Sequence, residues 1–239
     1  MNVPVKTRWQ AFGIHLGLSA VIFAAIYAIT RLIWFPGALF DLANTWEGIR
    51  ILVVVDLVLG PLLTLVVFDL KRKEMKVIAR DLTVILMIQL GGLLGGIWVI
   101  HGEKPVLATY VFNTLHIYTA SDIHQHKVWD RFESVRDKTP TILYSELPQE
   151  RKQAEEVLRV HRALIGAAGT GLEADLWQSI PPDESGLKNM LRFTDDIKPL
   201  EGCDAVTVKA SSKHTAGRMC VDFRNREFSL FTPDQQGGS

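Results

Sequence analysis

Asp56 stands inside an otherwise apolar run from Ile51 to Phe68. Burying an ionisable group in hydrocarbon costs about 2.5–3.5 kcal/mol on insertion scales, so such a group usually has a partner or a task. Gly60 and Pro61 follow within five positions. Proline removes a backbone donor and clashes with the carbonyl one turn back. The 57–61 turn is therefore predicted to bend and free a carbonyl, and Gly60 eases the bend. Three other polar side chains, His15, Arg31 and Gln89, occupy apolar runs. If successive runs cross a membrane in opposite directions, His15 shares its depth with Asp69. Asp56 then matches Arg31, whose long side chain can reach inward or outward. A visiting helix is the alternative partner for Asp56.

The remaining reactive side chains fall after residue 101. His116, His124 and His126 lack a cysteine or carboxylate at ligand spacing, so no metal site is expected, and Asp122 to Lys127 reads as a solvated loop. Cys203 and Cys220 are an even pair, expected to bridge in an oxidising compartment; two reduced buried thiols are the alternative. Nucleotide-binding, serine-hydrolase and zinc-protease motifs are absent from the sequence. No cofactor and no small-molecule substrate are expected.

The elements that must position these groups are long and apolar. The sequence is 48% hydrophobic with zero formal net charge, and that balance gives no reason to expect nucleic acid. Three runs, about 12–34, 51–69 and 82–100, meet the length of about 20 residues that a transmembrane helix needs. The first is too long for the hydrophobic region of a signal peptide and lacks a clean cleavage site. Lys6 and Arg8 precede it, and five Lys or Arg residues lie in 71–80. By the positive-inside rule the N-terminus and 71–80 are cytoplasmic, and the 35–50 loop and everything after His101 are exported. In the third run, Gly91, Gly92, Gly95 and Gly96 make two overlapping small-residue pairs, suited to the bundle's own helices or to a foreign one. Gln89, one turn earlier, can hydrogen-bond across either contact.

Beyond residue 101 the pattern is that of an α+β domain. Val106 to Ile117 reads as a hairpin turning at Phe112–Thr114, and Thr141 to Tyr144 as a strand. Pro148 starts a helix that is capped at Gly166. A short helix is expected around Trp177 and another over 187–193, and the pattern of 205–209, 219–223 and 227–231 predicts strands. The expected organisation is a membrane domain at 1–101, a periplasmic domain at 102–232 and a disordered tail at 233–239. The fold class is a polytopic α-helical membrane protein with three transmembrane helices and a C-terminal α+β periplasmic domain.

Over about its first 120 residues the sequence resembles the TfpX/TfpZ-type accessory proteins of bacterial type IV pili. The residues that carry the resemblance begin with Arg8 to Leu16 and Trp34-Phe35-Pro36-Gly37, and continue with Val55 to Leu65. Arg80-Asp81-Leu82, Lys104-Pro105-Val106 and Phe112 complete it. The resemblance implies a non-enzymatic protein of the inner membrane that helps or modulates pilin assembly. Its partners are then a type IV pilin and membrane lipid. An alternative class is a membrane-embedded hydrolase or modifying enzyme using Asp56; a lone carboxylate without a nucleophile or depth-matched second acid disfavours it. A signal-relaying sensor is disfavoured by the lack of a cytoplasmic output domain.

Overall fold

The computed structural model describes residues 7–68, 74–165 and 171–234. The chain divides into two compact units, one of residues 1–33 with 45–101 and one of residues 34–44 with 102–239. The expected Asp69 contact, the basic residues Lys71 to Lys73 and the Gly166 cap lie outside the described residues.

In the helical unit, α1 (Arg8–Ile29) starts at Thr7, whose hydroxyl accepts the Gln10 N–H while the Gln10 side chain accepts the Thr7 N–H. This reciprocal cap satisfies two donors that a helix start otherwise leaves open. A wide π-type turn, Thr30–Trp34, closes the helix. The second rod comprises α3 (Thr45–Leu52), a π-helical stretch Val53–Leu59, and α4 (Gly60–Val67). The third is α5 (Met75–Gly102), which starts earlier than the apolar run because its first turns carry Arg80 and Asp81. Arg8–Trp34, Gly48–Val67 and Lys76–Gly102 are each long and apolar enough to cross a membrane. No residue of α1 is buried, and apolar side chains such as Val21 and Trp98 point outward. Helices apolar all round and bare on most sides suit hydrocarbon surroundings.

The second unit is built on a seven-stranded mixed sheet. Its strands are β1 (Pro105–Val111), β2 (Thr114–Thr119), β3 (Thr141–Ser145), β4 (Trp177–Ser179), β5 (Val206–Ser211), β6 (Ala216–Asp222) and β7 (Glu227–Pro233). They lie in the order β4-β3-β1-β2-β5-β6-β7, with β1/β3 and β2/β5 parallel and the other neighbours antiparallel. The predicted hairpin turns at Phe112 and Asn113, with Phe112 at positive φ. One sheet face packs Leu107, Tyr118 and Leu143 against Ile123 of α6 (Ala120–Gln125) and Phe132 of α7 (Trp129–Val135). A neighbouring cluster seats Ala154 and Leu158 of α8 (Arg151–Ile165) on Val111. The other face holds Tyr110, Val208, Met219 and Val221 with Met190 of α9 (Glu184–Met190). Cys203 and Cys220 form a disulfide that ties the 200–204 turn to β6.

Three expectations are corrected here. Of the expected loop 122–127, residues 122–125 are helical and only 126–127 form a turn: Thr119 and Asp122 cap the helix, and its Ile123 is fully buried. The short helix expected around Trp177 is a single 3₁₀ turn, Ala174–Leu176, and Trp177 itself begins the edge strand β4, its indole N–H donating to the Gly171 carbonyl. The segment 34–44, expected to be a connection within the membrane domain, belongs to the sheet unit. Phe35, Ala38 and the short helix α2 (Leu39–Leu42) are buried there, and the Ala38 N–H donates to the Phe228 carbonyl on β7 at 2.7 Å. Gly37 permits that approach: its φ is +60°, and a Cβ there would overlap the Phe228 carbonyl. At the other end the sheet runs further than expected. β7 includes Pro233, and the Asp234 N–H donates to Ala216; the rest of the tail lies outside the described residues.

Candidate functional site

The polar groups of the helical unit converge on the middle of the second rod. Within Val53–Leu59 the backbone follows π register, and the Gly60 N–H donates to the Val55 carbonyl, five residues back. In that register the next donor, the N–H of residue 61, would serve the Asp56 carbonyl. Residue 61 is proline and has no N–H. Gln89 of α5 stands at the vacancy: its Nε2 points at the Asp56 carbonyl from 3.5 Å, beyond the usual range of about 2.7–3.2 Å, so the contact is a weak one. The freed carbonyl foreseen from Pro61 is thus that of Asp56. Gly60 is the residue that admits Gln89, because a Cβ there would overlap its side-chain amide.

A second link lies one turn further along. The Thr64 hydroxyl donates to the Gly60 carbonyl at 3.2 Å, and His15 Nδ1 stands 2.6 Å from that hydroxyl's Oγ1. The imidazole tautomer sets which of the two donates in the His15–Thr64 contact. His15 therefore pins α1 to α4, as Gln89 links α5 to the π-helical stretch.

The Asp56 carboxylate takes part in none of this. Both Oδ atoms are shielded from solvent and accept no hydrogen bond. The expected pairing with Arg31 is not formed. Arg31 lies in the π-type turn after α1, while the carboxylate faces a cleft walled by Leu18, Phe23 and Ile26 of α1 and by Leu86 and Leu93 of α5. His15 and Ser19 line the same cleft, so the depth argument that separated His15 from Asp56 does not hold at the level of the cavity. Other buried oxygens without partners belong to hydroxyls such as Thr30 and Tyr110, which cost far less to isolate than a carboxylate.

This cleft adjoins another, and both are lined by His15, Leu18 and Leu86. Together they follow α1 from Ala11 to Ile26 and α5 from Ile78 to Leu93. Fifteen rises of 1.5 Å make that groove about 22 Å long, roughly four turns of helix. Its walls are almost wholly apolar, and it remains open along the side.

The glycines of α5 divide between two directions. Gly96 meets Leu52 and Gly92 meets Val55, so this pair lets α5 approach the second rod. Nothing lies within 4 Å of a Cβ built at Gly91 or Gly95. At 100° per residue that second pair faces away from the Leu86–Leu93 wall of the groove.

In the sheet unit, His124 stacks on Trp129 at 4.1 Å between ring centres, and no metal-ligand cluster occurs among the described residues. Burial pushes the His116 imidazole down to about 4, with the Arg162 charge adding to the effect. Burial alone would raise Glu103, yet Lys213 and His214 at its carboxylate hold it below the usual range.

Three curated proteins of Dichelobacter nodosus are similar to this chain. The fimbrial assembly protein of serogroup E1 is 26% identical over 111 residues, that of serogroups C1 and C2 25%, and that of serogroup I 24%. The matched stretch is 46% of this chain; it spans 43% of the E1 and I proteins and 84% of the C1 and C2 protein. No family model matches the chain, and no solved structure matches it.

Proposed function

We propose that this chain is a membrane-embedded accessory protein of fimbrial assembly, a chaperone or assembly modulator that holds the apolar helix of a type IV pilin. The groove between α1 and α5 carries the reading. It runs for about four helical turns between apolar walls, and no described residue fills it. The similarity to fimbrial assembly proteins supports the process, and the resemblance to TfpX/TfpZ-type proteins supports the partner. The three apolar helices cross the inner membrane, and the sheet domain meets the pilin head in the periplasm. Two features favour that topology. Residues 34–44 fold into one unit with 102–234, so they share a side of the membrane, as two intervening crossings require. The Cys203–Cys220 disulfide fits an oxidising compartment.

The protein acts by binding rather than by catalysis. Asp56, His15 and Ser19 share a cleft, but His15 Nδ1 is bonded to Thr64 and the Asp56 carboxylate accepts nothing. A nucleophile–base–carboxylate relay needs those groups bonded to one another. In-cell crosslinking tests the reading. A photoreactive maleimide attached to Ser19→Cys is expected to capture the pilin; failure in cells that assemble pili would sink it.

A further inference from the structure

Resting on that helix-holding reading, we infer that the bound helix carries a carboxyl side chain at the level of His15, and that the imidazole Nε2 receives it. Of the three residues that line both clefts, His15 alone is polar, and it stands half-buried where the two meet. Thr64 holds the ring from behind. The threonine is 3% exposed, is anchored to the Gly60 carbonyl, and meets His15 Nδ1 at 2.6 Å. The bond made by one ring nitrogen orients the other. With Nδ1 spent on Thr64, Nε2 is the atom left to an occupant of the groove. A tie between α1 and α4 needs only the Nδ1 contact, which a shorter asparagine amide could make; the imidazole reaches further.

A carboxyl group matches Nε2 in every form the imidazole takes. With the proton on Nδ1, Nε2 accepts, and a neutral carboxyl donates to it. With the proton on Nε2, or on both nitrogens, the ring donates to a carboxylate. In the doubly protonated form the two charges also compensate one another where water does not reach. A lysine or arginine on the helix offers donors only, so it meets the first form and is repelled by the last. An amide meets the neutral forms and compensates no charge. Asp56 does not compete at this level. It lies eight residues before Thr64 on the second rod, roughly two helical turns away, and its oxygens are shielded. The Gln89 amide is turned to the Asp56 carbonyl, and Arg31 lines neither cleft. An unpaired carboxyl group is costly in hydrocarbon. A helix that carries one therefore gains on entering the groove what an all-apolar helix does not.

The full-length protein, reconstituted in phosphatidylcholine vesicles, is titrated with synthetic leucine-alanine helices that carry Glu, Gln, Leu or Lys at the His15 depth. Association is read by energy transfer. The Glu helix is expected to bind at least about tenfold more tightly than the Leu helix, and more tightly than the Gln and Lys helices. Moving the Glu two turns along the helix, to the level of Asp56, should remove the preference; this arm uses the unaltered protein. His15→Asn keeps an amide near the Nδ1 position for Thr64 and deletes Nε2. It should abolish the Glu preference and leave both Leu-helix binding and the melting temperature in detergent unchanged. Equal binding of the Glu and Leu helices, a preference that survives His15→Asn, or one indifferent to the depth of the Glu overturns the inference. A Gln helix as tight as the Glu helix assigns the contact to a neutral amide and equally overturns it. The helix-holding reading is scored separately by the Ser19→Cys capture of pilin. Capture without a Glu preference removes the carboxyl contact and leaves the function standing.

Discussion

The segment 34–44 is the most direct target for testing the assignment of sequence to domain. Leu39 and Leu42 are each 1% exposed and pack with Met219, Val221 and Phe228 in the larger core of the sheet unit. Truncating a buried leucine to alanine costs about 2–5 kcal/mol. The two share one cluster, so the double change should cost less than the sum. Gly37→Ala attacks the same junction through the backbone. Its positive φ penalises a side chain by about 1–2 kcal/mol, and the overlap with Phe228 endangers a hydrogen bond worth about 0.5–1.5 kcal/mol. A domain of this size holds only about 5–15 kcal/mol in total. Residues 102–239 expressed alone are therefore expected to unfold at much lower urea than the same residues preceded by 34–44 on a glycine-serine linker. Trp177, 3% exposed at the start of β4, reports the transition by fluorescence. Equal midpoints with and without 34–44 would refute the assignment, as would a wild-type midpoint for Gly37→Ala in the linked form.

Gly60→Ala should displace Gln89 and leave the Asp56 carbonyl unserved, costing about 1–3 kcal/mol; a lower melting temperature in detergent, with Gln89→Leu showing the same loss, checks it. Removing the Cys203–Cys220 link, which closes a separation of 17 residues, should destabilise the sheet domain by about 3 kcal/mol in the chain-entropy model. Denaturation with and without reductant measures this. His116 titrates at about 4 in the fold, below its usual value near 6.5, so folding favours its neutral form. Its contribution is complete above pH 6.5 and declines as pH falls toward 4, by at most about 3 kcal/mol. Urea midpoints across that window should fall for the wild type and flatten for His116→Phe.

What could be read in the sequence follows from how local each signal is. The three apolar rods and the hairpin at Phe112–Asn113 are written in consecutive residues, and each appears close to where hydropathy and turn chemistry put it. The 120–125 helix was also written locally, in the Thr119–Asp122 cap, but a run of polar side chains with one buried isoleucine gave no apolar face to find. The role of 34–44 was beyond reach. Phe35, Leu39 and Leu42 look like scattered apolar residues in a loop until β7, nearly two hundred positions later, supplies their partner. The glycine pattern in α5 was visible, whereas its division into Gly92/Gly96 inward and Gly91/Gly95 outward depends on the rotation of the helix.

The block from Asp56 to Thr64 shows why the partner of Asp56 could not be deduced from depth. Depth matches residues on straight helices of regular register, and this stretch is neither. The π register moves the unserved carbonyl from Leu57 to Asp56, so the interaction that the proline demands falls on the aspartate's backbone and is met by Gln89. Gly60, Pro61 and Thr64 then each have an internal reason to be what they are: space for an amide, a missing donor, and a bridge to His15. The Asp56 side chain alone has none. Leucine at that position would keep the backbone carbonyl, the register and the Gln89 contact, and would avoid the cost of a carboxylate in an apolar setting. The carboxylate instead lines the cleft between α1 and α5, where among the described residues nothing bonds it.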